Sequence, residues 1–139
     1  MNSTMPVVVI LLSMAGLYVS LYFSLISYGL MGVHSSLVPA FCRMGEETCS
    51  LVIHHPDARI LRVPNSVLGV AYYSAVLALG LLAGSPVFVG VVRWASWLSV
   101  LAGGYLVYSL YFRVKAVCPL CLACHAINVL IAVVVTFLW

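Results

Sequence analysis

The sequence predicts an all-α membrane protein, a four-helix transmembrane bundle with one long polar loop between helices 1 and 2. Of its 139 residues 65% are hydrophobic and only 6% are charged, and the mean hydropathy is +1.20. Soluble domains carry about 25% charged residues, so this chain lacks the polar groups to cover a surface in water. Four apolar segments also reach the length of roughly 20 residues that a membrane-spanning helix needs.

Turn and capping signals delimit the predicted spans. Thr4 is a suitable N-cap for the first span, and Pro6 fits its first turn. The second span ends at the turn sequence Gly84-Ser85-Pro86. Antiparallel spans with short connections pack as a bundle. Within a single membrane domain of residues 1–139, the helices are expected at about residues 6–31, 66–83, 90–112 and 119–138.

The connection at residues 32–65 is the one long loop, and it concentrates the charge of the chain. It contains six of the nine charged residues and the cysteines Cys42 and Cys49. A polar loop of this length in a small bundle is usually functional or disordered. The net charge of +3 is small and dispersed, which gives no support for a nucleic-acid partner.

The cysteines fall in two groups at one face of the membrane. Cys42 and Cys49 lie in the loop after the first span, and Cys118 and Cys121 directly follow the loop after the third. In a four-span topology those two loops share a face. Cysteines that act only as small apolar side chains would be scattered along all four helices, so this placement favours thiol chemistry.

On the fourth helix the polar residues are predicted to share one face. At about 100° per residue, a stripe about 80° wide holds Cys118, Cys121, His125 and Asn128, with Cys124 at its margin. Polar residues inside a span usually face the bundle interior and mark a functional path. For Asn128 taken alone, a hydrogen bond that ties two helices together is the preferred explanation, whereas the stripe as a whole favours a functional path.

The motif Cys118-Pro-Leu-Cys121 suits reversible disulfide formation. Cys118 is expected at the helix N-terminus, where unpaired N–H groups and the helix dipole stabilise a thiolate, the form that attacks disulfides. Cys121 lies one turn away, close enough for a disulfide with Cys118. It is also about one turn deeper, where a hydrophobic electron acceptor dissolved in the bilayer can reach it.

Two other functions use overlapping residues. Cys121-Leu-Ala-Cys124-His125 matches a c-type haem attachment sequence, and the same residues with Cys118 offer ligands for a metal. Haem needs space in a narrow bundle and leaves the remaining cysteines without roles, and the spacing of Cys42 and Cys49 is atypical of zinc sites. We therefore predict no metal ligands and keep a metal- or haem-binding membrane protein as the alternative. A non-catalytic subunit with static disulfides is a third reading.

Four ordered features resemble the vitamin K epoxide reductase family of membrane thiol oxidoreductases. They run from Cys42 to Val129 and are the loop pair Cys42 and Cys49, the segment PNSVLG (residues 64–69) followed by AYY, the segment RWAS (residues 93–96), and Cys118-Pro-Leu-Cys121 followed by AINV (residues 126–129). A lone C-x-x-C would be weak support for any family, whereas this ordered set is specific.

The resemblance implies an electron relay. Cys42 would face a thioredoxin-like partner, Cys49 would attack Cys118, and Cys121 would pass electrons to a membrane quinone such as ubiquinone or menaquinone. Asn65 matches a family asparagine that hydrogen-bonds the quinone head group.

Three departures from the family pattern refine these expectations. His125 stands where animal members have a tyrosine beside the quinone, and we expect it to donate a hydrogen bond or protons there. Cys124 has no counterpart and is expected to be a small buried residue. The chain ends at Trp139 without the thioredoxin-like domain fused to many bacterial members, so the partner is expected to be a separate protein. Disulfide generation is favoured over vitamin K recycling.

The basic residues predict the orientation in the cell membrane. The loops on the cysteine side hold five Lys and Arg residues, whereas the opposite side holds only Arg93. The positive-inside rule therefore places the cysteine face in the cytoplasm, while family members usually have it outside the cytosol.

Overall fold

A computed structural model describes residues 4–30, 56, 59–60, 63–82, 85–115 and 119–138 of the chain. Within these residues, four helices are long and apolar enough to cross a membrane, which confirms the predicted fold class. Helices α3 and α4 each continue into a π-helical turn. The elements are α1 (Thr4–Ser27), α2 (Asn65–Leu82), α3 (Pro86–Ser109, then Leu110–Val114) and α4 (Pro119–Val133, then Val134–Leu138).

A short β-ribbon precedes α2. Strands β1 (Arg59–Ile60) and β2 (Val63–Pro64) pair antiparallel, with Arg59 opposite Pro64. Both strands lie in the predicted polar loop, where no strand was expected because two-residue strands carry no periodic signal. Since β2 is followed immediately by Asn65, the ribbon leads directly into the first turn of α2.

Helix α1 ends earlier than the hydropathy pattern suggested, at Ser27 rather than near residue 31. Gly29 adopts the left-handed region with a φ of 71°. Its N–H donates to the carbonyl of Ile26, and the N–H of Leu30 donates to that of Leu25. These two bonds form a Schellman motif, which satisfies the last carbonyls of the helix. Hydropathy continues past the helix end because the capping residues are apolar too.

Helices α1 and α2 form the most extensive interface of the bundle, and a glycine allows their close approach. A Cβ added at Gly16 of α1 would lie 2.3 Å from the ring of Tyr73 on α2. Tyr73 is only 2% exposed, so its ring has no space to move aside. Small residues commonly let membrane helices approach in this way.

Replacing Gly16 with alanine is expected to destabilise the bundle. The added methyl group overlaps the Tyr73 ring, and overpacking of this kind costs about 1–3 kcal/mol. Gly104→Ala on α3 is the matched control, because nothing lies within 4 Å of its added Cβ and a helical glycine-to-alanine change stabilises by roughly 0.5–1 kcal/mol. The unfolding temperature in detergent should therefore fall in Gly16→Ala and rise in Gly104→Ala. Equal shifts would contradict this account of the interface.

Among the described residues, the buried side chains form two clusters at opposite ends of the bundle. One cluster joins the ends of α1 and α3 to the start of α4 through Phe23, Ile26, Leu110 and Leu120. We call this end the cysteine face, because Cys121 in the first turn of α4 packs against this cluster. Helix α2 also begins at this end. The other cluster, which includes Val9 and Ile131, lies towards the opposite face. The contacts agree with the antiparallel order of the spans.

The outer surface of the bundle is apolar. Large side chains such as those of Trp94, Leu101 and Phe137 are more than 70% exposed. In water such a surface would drive aggregation, but it is compatible with contact to lipid tails. With four spanning helices, the chain is a multi-pass membrane protein.

Candidate functional site

A cavity of about 580 Å³ lies among the four helices, within the size range of small-molecule sites. Its walls are mainly apolar, with alanine, leucine and glycine residues of α2 and α3. Polar groups converge on it from α2 and α4. Those relevant to chemistry are Asn65, Ser66, Tyr73, Cys121, Cys124, His125 and Asn128.

Three of the six predicted site residues share this cavity. Asn65 is the first residue of α2, and Cys121 lies in the first turn of α4, so both are at the cysteine face. His125 is one turn deeper on α4 and also lines the cavity. The other three, Cys42, Cys49 and Cys118, lie outside the described residues.

Cys121 lies between the packed end of the bundle and the cavity. Its half-buried side chain packs against the cluster formed by residues such as Phe23 and Leu120, and it also lines the cavity. Thiol chemistry at this position is shielded from bulk water on one side and accessible to a cavity ligand on the other.

The His125 imidazole packs closely against α3. A Cβ added at Gly103 would lie 2.7 Å from its Nδ1 atom, so the imidazole occupies the space that any side chain at position 103 would fill. Gly103 therefore fixes where the ring can sit. Because His125 and Gly103 both line the cavity, this packing holds an imidazole at the cavity wall.

Tyr73 and Asn128 form a polar pair deeper in the bundle. The Tyr73 hydroxyl lies 2.5 Å from Asn128 Oδ1 and 3.3 Å from the backbone carbonyl oxygen of Cys124. This contact joins α2 to α4, the role that the sequence suggested for Asn128 on its own. Cys124, expected to be merely a small buried residue, is half-buried and lines the cavity.

The cavity borders the outer surface between α2 and α3. Leu68 of α2 and Leu98 of α3 both line it, yet they are 41% and 68% exposed. One hydrogen bond, from Tyr72 to Ser96 at 2.9 Å, crosses between these two helices. An apolar molecule in the surrounding lipid can therefore contact the cavity wall from the side.

The ligand sets of the alternative functions are only partly within the described chain. Cys121, Cys124 and His125 line one cavity, but the described residues contain no group of three His, Cys, Asp or Glu side chains arranged to hold a metal ion. Cys118, the fourth residue of that alternative, lies outside them.

Sequence reasoning missed several residues of the cavity. Tyr73 belongs to the AYY segment of the family resemblance, but the sequence assigned no role to it or to Gly103. Ser66 carries a buried hydroxyl oxygen that has no hydrogen-bond partner among the described residues. Ser66 is part of the motif PNSVLG, which was a usable signal for it. The contacts of Tyr73 with Asn128 and of Gly103 with His125 depend on helix rotation.

The family comparison agrees with this architecture. A model of the vitamin K epoxide reductase family matches residues 7–136, nearly the whole chain. The chain belongs to the vitamin K epoxide reductase family. It is thus a membrane redox enzyme, an oxidoreductase acting on disulfides, in a family associated with quinone-related chemistry and thioredoxin-like partners.

Proposed function

We propose that this protein is a quinone-dependent thiol-disulfide oxidoreductase that oxidises a thioredoxin-like partner and so generates protein disulfides. The observation that carries the proposal is the shared cavity of Asn65, Cys121 and His125, which borders the lipid-facing surface. It supplies a thiol, an amide and an imidazole around a largely apolar space. A quinone, with an apolar ring and two carbonyl oxygens, is the substrate that this combination suits.

The proposed relay transfers two electrons by thiol–disulfide exchange. The partner dithiol reduces the Cys42–Cys49 disulfide and leaves as a disulfide. The Cys49 thiolate then attacks the Cys118 sulfur of the Cys118–Cys121 disulfide and releases Cys121 as a thiolate. Attack by Cys42 on Cys49 next releases Cys118 and restores the first disulfide.

The second half of the cycle takes place at the cavity. The Cys118–Cys121 dithiol returns to the disulfide, and its two electrons and two protons convert the quinone to a hydroquinone. Asn65 donates a hydrogen bond to a quinone carbonyl. His125 donates a second bond or a proton, which favours the negative charge that develops on oxygen during reduction.

The proposed function is tested with purified protein and a reduced dithiol. The reduced dithiol is mixed with a substituted naphthoquinone, with and without the protein. Absorbance then measures the rate at which the hydroquinone forms. If the protein accelerates hydroquinone formation with neither a thioredoxin-like dithiol nor a small dithiol, the proposal is wrong.

The same sample tests the two alternative functions. Its visible spectrum tests the haem alternative, because bound haem gives an intense Soret band. Elemental analysis tests the metal alternative.

We further propose that the cysteine face lies in the cytoplasm. Arg113 in the last turn of α3 and Lys115 directly after it, both at this face, are exposed. Arg93, the basic residue nearest the opposite face, is half-buried and donates from Nη2 to the Val135 carbonyl at 3.2 Å. The charge bias therefore follows the positive-inside rule, and the enzyme would form disulfides of the kind found in cytosolic proteins of hyperthermophiles.

An impermeant maleimide applied to intact cells should leave Cys42 unlabelled when it is the only cysteine retained. The same reagent should label it after the membrane is permeabilised, because the loop is then accessible from the cytoplasmic side. Mass spectrometry of the isolated protein measures both. Strong labelling in intact cells places this face outside and overturns the proposed orientation without affecting the proposed reaction.

A further inference from the structure

We infer that Asn128 is a second amide donor to the cavity ligand and that Tyr73 is the residue that positions it. This inference rests on the proposed function, since it concerns recognition of the quinone. It adds two residues to the site beyond Asn65 and His125. The contact also ties α2 to α4, but we assign it a second role because it lies at the wall of the cavity.

Tyr73 is held firmly enough to position another group. Its ring is 2% exposed and packs against Gly16 of α1, where a Cβ would overlap it. It also contacts the neighbouring Tyr72 ring at a centroid separation of 5.1 Å. The hydroxyl therefore reaches α4 from a ring that cannot rotate away without repacking two helices.

The distances decide which atom receives the phenol hydrogen. Tyr73 has one hydroxyl hydrogen and two oxygens near it, Asn128 Oδ1 at 2.5 Å and the Cys124 carbonyl at 3.3 Å. O–H···O bonds measure about 2.5–3.0 Å, and an amide N–H donor would stand at about 2.7–3.2 Å. The hydrogen therefore goes to Asn128, and the atom facing Tyr73 is the amide oxygen.

Fixing the amide oxygen also fixes the amide nitrogen. The Asn128 side chain has one carbonyl oxygen and one NH₂ group with two donors. Because the oxygen bonds to Tyr73, we assign the NH₂ group to the cavity that Asn128 lines. An N–H donor is the group that binds a carbonyl oxygen, and its bond strengthens as negative charge builds up on that oxygen.

The depth of Asn128 suggests which carbonyl it binds. It lies seven residues after Cys121 on α4, a separation of about 10 Å along the helix axis. Asn65 is at the start of α2, near the cysteine face. The two amides thus approach the cavity from its two ends. We assign Asn128 to the quinone oxygen farther from Cys121, so the site recognises a ring with two carbonyl groups.

The test measures quinone and thiol kinetics separately in Tyr73→Phe and Asn128→Leu. The phenylalanine keeps the ring that packs against Gly16 and removes only the hydroxyl. The probe is 2,3-dimethyl-1,4-naphthoquinone, whose substituted ring carbons resist addition by cysteine thiols. We expect the quinone KM of each variant to rise roughly three- to tenfold, the loss of one hydrogen bond, with an unchanged KM for the dithiol partner. The double variant should be little worse than Asn128→Leu alone.

Thr136→Val is the matched control for a purely structural effect. It removes another hydrogen bond between helices, from Trp97 Nε1 to Thr136 Oγ1 at 3.0 Å, and neither residue lines the cavity. The control should lower thermal stability without changing the quinone KM. If Tyr73→Phe behaves like this control, the contact only ties helices and the inference is wrong. If wild-type protein reduces no quinone, the proposed function itself fails.

Discussion

Alanine at Cys121 is expected to lower quinone reduction by at least about 1,000-fold, as removal of one member of a concerted catalytic unit does. Cys121 belongs to the C-x-x-C motif and lines the cavity. Without it the proposed Cys118–Cys121 disulfide, which accepts electrons from Cys49, cannot form. Steady-state hydroquinone formation measures the loss. The unfolding temperature of the variant should stay close to that of the wild type, because only one sulfur atom is removed from a half-buried position.

Cys124→Ala is the matched comparison for Cys121→Ala. Both cysteines lie on α4 and line the same cavity, but only Cys121 belongs to the proposed relay. We expect Cys124→Ala to retain activity within about threefold, the range of a mild substitution. A loss as large as that of Cys121→Ala would show that the pairing of the cysteines is assigned incorrectly.

The loop cysteines provide an internal check on the direction of the relay. Cys49→Ala should block reduction by a protein partner but not by a small dithiol that reaches Cys118 directly. Equal loss with both reductants would argue against Cys49 as the link between the two cysteine pairs.

Valine at Gly103 is expected to impair quinone use more than any substitution outside the cysteines. An added Cβ lies 2.7 Å from His125 Nδ1, so the imidazole must leave its position or the helices must separate. If the quinone binds only when the imidazole keeps its position, binding must bear the overpacking of about 1–3 kcal/mol, which raises the quinone KM roughly five- to 150-fold. The KM for the dithiol partner should not change, because the packing lies at the cavity wall.

Gly104→Val provides the control for Gly103→Val. The two glycines are adjacent on α3, but no atom lies within 4 Å of a Cβ added at Gly104, so the extra methyl groups meet open space. This variant should keep the wild-type quinone KM. If both valines raise it equally, the cause is a general effect on α3 and not displacement of His125.

Much of the site on α4 was predictable from the sequence, because it depends on one helix. Cys121, His125 and Asn128 were expected on one face from their spacing, and all three line the cavity. Asn65 was predicted as a quinone-binding residue from the family resemblance alone. It also lines the cavity. The helix ends were less predictable, as Gly29 shows, because an apolar capping turn has the same hydropathy as the span.

Composition and residue spacing were enough to predict a four-helix membrane protein with a polar stripe on its last helix. Both properties are local, since hydropathy sums over one segment and helical spacing fixes which of its residues share a face. Which groups from different helices meet depends on how the helices pack. Tyr73 reaches Asn128, and Gly103 meets His125, because close packing at positions such as Gly16 sets the rotation and depth of each helix. A shift of one residue along α2 would turn Tyr73 away by about 100°, and no pattern within a single segment encodes that relation.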